Sequence, residues 1–199
     1  MALGAAALLR PIASEAADGC FTLDGHAVAC SHGFPDPPPI PAQPCRALCW
    51  ATSLAYMLQG YGAEIGTLDV LSRYGLTPAC RKRDDRASLL GAAGQWRDAR
   101  GRDFLVRTTE MASLHRRYAS GQGMDDVLRR VARQPILCGA AGHTTVVTEV
   151  QVVHTALSGL RRDRVTVVDP YAPNPRCRDL SSDELRRPFY MVALSIREL

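Results

Sequence analysis

The chain has 199 residues, 46% of them hydrophobic, and a formal net charge of +4. That length suits one domain or two closely packed lobes, and the apolar content can fill a core. No apolar run reaches membrane-spanning length, and the arginine-rich positive charge lacks interleaved aromatics on which bases could stack, which argues against a membrane span and against nucleic acid.

Residues 1–18 are apolar at the start, from Ala2 to Leu9, and read as a signal remnant or disordered segment outside the fold. Residues 19–42 follow as a hairpin and a proline-rich segment. Cys20 and Cys30 flank alternating residues with Asp24-Gly25 at the turn, which predicts a disulfide-closed hairpin. The run from Gly33 to Pro44 is rich in proline and must be extended, setting the hairpin apart from a body that spans residues 43–199.

Gln43, Cys49 and Trp50 open an apolar helical run. Trp50, Leu54, Met57, Leu58 and Tyr61 share one stripe at helical spacing, and Gly60 and Gly62 offer a stop. Pro44 keeps the helix from extending back through Gln43, so the helix starts near Cys49. Unsatisfied amides at a helix start favour a thiolate, and the Gln43 amide just upstream can donate to an oxyanion. Cys49 is therefore a candidate nucleophile.

Helical patterns dominate to about residue 133. A short helix opens at Thr67, and another at Asp84 or Asp85 with Leu89, Leu90, Ala93 and Trp96 on one side. Thr108 or Thr109 precedes a third with Met111, Leu114 and Tyr118. Gly123 precedes a fourth with Met124, Val127, Leu128 and Val131. Beyond Pro135 the pattern changes to strands: Ile136–Cys138, His143–His154, Arg164–Asp169 and Phe189–Ile196, with a short helix from Ser181 or Ser182 through Leu185. Helices first and antiparallel strands second predict an α+β fold.

A thiol nucleophile needs a proton acceptor that later serves as donor, and histidine suits both tasks. His26 and His32 belong to the N-terminal hairpin, His115 lies among arginines, and His154 ends the long strand. His143 begins that strand directly after Gly142, where strand starts border clefts. Asp169 ends the strand expected to pair with it, and could accept from the imidazole; Asn174 is the alternative acceptor.

Seven cysteines are many for a reducing compartment, and the odd count leaves Cys49 outside three bridges. Beside Cys20–Cys30, the pairings Cys45–Cys80 and Cys138–Cys177 complete one of several possible sets. A zinc site around Cys30 and His32 has no paired Cys-x-x-Cys to support it, and no cofactor is expected.

The order Gln43, Cys49-Trp50, helices, Gly142-His143 strand, Asp169-Pro170, final strand resembles the bacterial papain-like cysteine peptidases, in particular soluble relatives of bacteriocin-leader-processing peptidases. The resemblance implies an N-terminal helical lobe, carrying the nucleophile helix, packed against a C-terminal antiparallel β-sheet lobe. It implies Cys49 as nucleophile, His143 as base and acid, Asp169 as orienter and Gln43 as oxyanion donor, acting on a protein or peptide substrate. With the cysteines it implies a secreted or periplasmic enzyme, or a secreted effector. A transglutaminase-like or other Cys-dependent acyltransferase uses the same residue types, and a non-catalytic, disulfide-stapled binding protein on such a scaffold is the reading from another class.

Overall fold

The computed structural model describes residues 19–24, 27–34, 37–77, 80, 85–111, 122–155, 159–171, 174–186 and 189–199. The strands are β1 (Gly19–Asp24), β2 (Ala27–Gly33), β3 (Gly94–Arg97), β4 (Asp103–Met111), β5 (Ile136–Ala140), β6 (His143–Thr155), β7 (Gly159–Asp169), β8 (Arg176–Asp179) and β9 (Phe189–Glu198). The helices are α1 (Cys49–Gly60), α2 (Thr67–Arg73), α3 (Asp85–Leu90), α4 (Gln122–Val131) and α5 (Ser182–Arg186). Helix and antiparallel sheet together make the fold α+β.

The strands form one sheet, in the order β1-β2-β6-β5-β9-β4-β3, with β7 on β6 and β8 on β7. Strand β6 is long enough to serve three neighbours. Its first residues pair with β5, its later ones with β2, and nearly its whole length with β7. The N-terminal hairpin thus continues the sheet and does not stand apart. The proline segment lies against the body too: Phe34 and Ile40 are buried, and the Tyr56 hydroxyl donates to the Pro38 carbonyl at 2.7 Å.

Strand alternation gives the sheet two apolar faces. On one, Leu137, Val146, Val168, Val192, Leu194, Phe104 and Val106 pack with Trp50, Leu54, Met57 and Leu58 of α1, Val70 and Leu71 of α2, and Leu89 of α3. On the other, Ile136, Cys138, Val147, Val150, Val165, Val167 and Met191 pack with Val127, Leu128 and Val131 of α4. The stripe expected on α1 is therefore the core stripe. Every residue of that helix from Cys49 to Leu58 is buried, so a Leu54→Ala truncation removes about 2–5 kcal/mol of stability.

One expected helix ends early, and the described part of another is a strand. Leu89 and Leu90 do end a helix, but Gly94 has φ +125, a conformation that halts a helix at no steric cost, and Trp96 lies in β3. Thr108, Thr109 and Met111 belong to β4, where Phe104 and Val106 are buried at period two. The rest of that expected helix, with Leu114, His115 and Tyr118, lies outside the described residues, as do residues 1–18, His26 and Arg81 to Arg83.

The Cys20–Cys30 and Cys45–Cys80 disulfides are formed. The third expected pairing is not: Cys138 and Cys177 are not joined. Cys138 lies on β5 and Cys177 on β8, with β6 and β7 between them. Three strand spacings separate the two by roughly 14 Å, at least twice the Cα separation a disulfide tolerates. Among the described residues no helix is long and apolar enough to cross a membrane.

Candidate functional site

The site lies where the start of α1 meets the start of β6. Pro44 and an extended Cys45 end the proline segment; a single 3-10 turn, Arg46–Leu48, then leads into α1. Cys49 is consequently the first α-helical residue, and its side chain is 1% exposed. The N-terminal end of α1 is fastened to β6 by a hydrogen bond from the Ser53 hydroxyl to the Thr144 carbonyl.

His143 owes its position to a tight hairpin. Strands β5 and β6 are joined by Ala141 and Gly142, with φ values of 54 and 76, which are the left-handed conformations a two-residue type I′ turn requires. Ala141 holds such a conformation at a cost that glycine would not incur. His143 then pairs with Ala140 at the mouth of the hairpin.

Strand register brings the next two side chains in. Val146 pairs with Val168, so Thr145 is level with Asp169, and alternation puts His143 on the same face two residues away. Val167 pairs with Arg178, which lies on that face as well. The contacts follow: His143 Nε2 is 2.6 Å from Asp169 Oδ1, and Arg178 Nε donates to Asp169 Oδ2 at 2.7 Å. The Tyr171 amide donates to Asp169 Oδ1 at 2.9 Å. Arg178 in turn grips both oxygens of Glu184, which also accepts from the amide and hydroxyl of Ser181.

These contacts set the charges. Burial alone would lower the His143 pKa, but hydrogen bonds to Asp169 and to Cys49, together with the negative charge of both, raise it to about 9. Burial would raise that of Asp169; the His143 bond and charge, Arg178 and the Tyr171 amide hold it down at about 2. Asp169 is therefore a carboxylate across the working pH range, and its partner nitrogen Nε2 carries hydrogen. Nδ1 is the nitrogen left to meet the Cys49 sulfur, whose nearness helps to raise the imidazole. The Tyr171 ring packs edge-on against the imidazole, with centroids 5.9 Å apart.

Gln43 is also brought here. Its backbone N–H donates to the Pro170 carbonyl at 2.8 Å, next to Asp169. Its side chain is 2% exposed, and neither its amide nitrogen nor its amide oxygen has a hydrogen-bond partner among the described residues. A buried amide with no partner is costly.

All four residues singled out in the sequence thus lie in one region, with the His143 imidazole bonded to Asp169 and close enough to Cys49 for the sulfur to raise its pKa. Four neighbours had no comparable signal. The Thr144 amide donates to Cys49 Sγ at 3.3 Å. Asp85, expected only to open a helix, has its carboxylate 3.7 Å from the same sulfur. Tyr190 bonds Thr144, and Arg178 anchors Asp169. Asn174, the alternative acceptor, is exposed.

The chain matches no protein-family model, no curated protein and no solved structure. Among the described residues no group of three or more His, Cys, Asp or Glu side chains is arranged to hold a metal ion.

Proposed function

We propose that the protein is a papain-like cysteine peptidase that hydrolyses peptide bonds through a thioester acyl-enzyme. The alignment of Cys49, His143 and Asp169 carries this reading: the imidazole is bonded to the carboxylate and lies near enough to the sulfur to be raised by it, and the carboxylate is fixed by Arg178 and the Tyr171 amide. A structural role needs none of that order, since a buried cysteine packs as a small apolar side chain.

The steps follow from the atoms. The Cys49 proton passes to His143 Nδ1, and the thiolate adds to the scissile carbonyl carbon. The carbonyl oxygen becomes an oxyanion, for which the Gln43 amide is the candidate donor, since Gln43 leaves that amide buried and unpartnered. The imidazolium returns its proton to the leaving amine as the C–N bond breaks. Water, deprotonated by the same imidazole, then cleaves the thioester. Asp169 keeps Nε2 protonated throughout and offsets the imidazolium charge.

Two disulfides of the kind that persist in oxidising compartments support a secreted or periplasmic location. The test is digestion of a peptide library by the wild-type chain and by Cys49→Ala. Cleavage confined to the wild type supports the peptidase. Amide products formed only when a primary amine is added would identify the acyltransferase alternative. Equal cleavage by Cys49→Ala would end both readings.

A further inference from the structure

Asp169 divides its two oxygens. Oδ1 serves His143 Nε2 and the Tyr171 amide, and Oδ2 serves Arg178 Nε. Among the described residues the side chains on this carboxylate are therefore His143 and Arg178, one to each oxygen. The register accounts for the second: Arg178 pairs with Val167, two residues before Asp169, so both side chains leave the same face. The far edge of the guanidinium is taken as well. Nη1 and Nη2 donate to the two Glu184 oxygens at 2.9 and 2.8 Å, and Nη1 also donates to the Asp179 carbonyl at 3.1 Å. Glu184 is held in turn. Its Oε2 accepts from the Ser181 amide and hydroxyl, and its amide donates back to that hydroxyl, a reciprocal cap at the start of α5. Leu180 and Leu185, on either side of this cap, pack into the second apolar face. Burial would raise the Glu184 carboxyl, but Arg178 and Ser181 hold it down at about 2, so it stays ionised.

We propose that Arg178 is a positioning residue for the reaction: gripped by Glu184, it fixes the Asp169 carboxylate in the one rotation that aims Oδ1 at His143 Nε2. The inference rests on reading His143 as the acid and base. A carboxylate turns easily about its Cβ–Cγ bond, because that torsion is broad and two-fold. Aiming Oδ1 therefore requires Oδ2 to be held, and a planar guanidinium holds it in a fixed direction. The fork explains why the residue is arginine. One edge meets Asp169 while the other meets Glu184, and the point charge of a lysine cannot serve both carboxylates in one plane. Without Arg178, Oδ2 would be a buried acceptor that has lost its partner, and the carboxylate would turn to find another. The bond to the imidazole would weaken with that turn.

The test reads the His143 Nε2–H directly, as the downfield proton resonance of a hydrogen-bonded imidazole, assigned by its loss in His143→Ala. In Arg178→Ala this resonance should be lost to faster exchange with water. Arg178→Lys should lose it too, and serves if the Ala variant does not fold. On a cleaved peptide, kcat of Arg178→Ala should fall about ten- to a hundredfold with KM little changed, the loss typical of an orienting outer partner. In an Asp169→Asn background the same substitution should change kcat by less than about threefold, since Arg178 acts through Asp169. A role confined to stability would keep the resonance in the folded variant and lower the rate alike in both backgrounds. An unchanged resonance, or equal falls in both backgrounds, overturns the inference while leaving Cys49 and His143 as the reacting pair. A resonance that depends on Arg178, in a chain that cleaves no peptide, would support the positioning and overturn the peptidase reading. Absence of the resonance from the wild type would contradict the bond on which both rest.

Discussion

His143 Nε2 and Asp169 Oδ1 lie 2.6 Å apart, at the ends of adjoining strands whose register puts both side chains on one face of the sheet. Because this contact supports the imidazolium, it predicts a pH dependence with a definite sign. The pKa of His143 stands at about 9, so the form that protonates the leaving amine persists to about that pH and the alkaline limb of kcat/KM falls there. In Asp169→Asn the limb should move down towards 6.5, the unperturbed value. The loss in kcat should be large, of order a thousandfold or more, as for other orienting carboxylates.

The same pair links stability to pH. His143 is raised from 6.5 to about 9, so its contribution is complete below 6.5 and disappears as the pH rises through about 9. Asp169 is lowered from 3.8 to about 2, so its contribution is complete above 3.8 and disappears as the pH falls through about 2. The difference in Tm between wild type and Asp169→Asn should therefore be greatest between those inner values and shrink towards pH 2 and beyond pH 9. A difference that is flat with pH would mean that the pair does not stabilise the fold.

Gln43→Ala should lower kcat by about a hundred- to a thousandfold with little change in KM, because an oxyanion donor acts on the transition state and not on bound substrate. It should not destabilise the protein much, since the amide it removes has no partner to lose. A large fall in Tm with unchanged kcat would assign Gln43 to the core instead.

Gly139→Ala probes the other wall of the site. A Cβ there would lie 2.0 Å from the Tyr190 ring, whose hydroxyl holds Thr144. Tyr190 must shift, costing about 1–3 kcal/mol. Because Thr144 donates its amide to the sulfur, Cys49 alkylation should slow as well. Unfolding in urea and the alkylation rate check the two effects separately.

Replacing both Cys45 and Cys80 by serine should cost about 3–4 kcal/mol, the loop entropy expected for their sequence separation of 35. The measurement is the urea midpoint of the oxidised wild type against the double variant. A loss below about 1 kcal/mol would show that packing alone holds these two segments together.

Much of the site was legible because it is local. The stripe of Trp50, Leu54 and Leu58 fixes where α1 runs, Pro44 fixes where it starts, and Cys49 falls at that start. The hairpin disulfide was legible for a similar reason, since Cys20 and Cys30 face each other in register. Strand β4 was misread because its alternation of Phe104 and Val106 runs into Met111, whose spacing to Leu114 and Tyr118 mimics a helix. The Cys138–Cys177 pairing failed because sequence does not say how many strands separate two cysteines. Asp85 was legible only as a helix start, and Arg178 gave no signal. Each reaches the site through tertiary packing, Asp85 from a helix 36 positions beyond Cys49 and Arg178 from a short outer strand.

The central claim is that Cys49 is a sulfur activated by His143. The most direct measurement is stoichiometric labelling with a thiol-directed epoxysuccinate at neutral pH, followed by peptide mapping, in the wild type and in His143→Ala. One label per chain, on Cys49 and largely lost in His143→Ala, is the expected result. Labelling of exposed Cys177 with Cys49 untouched, or equal Cys49 labelling in both proteins, would contradict it.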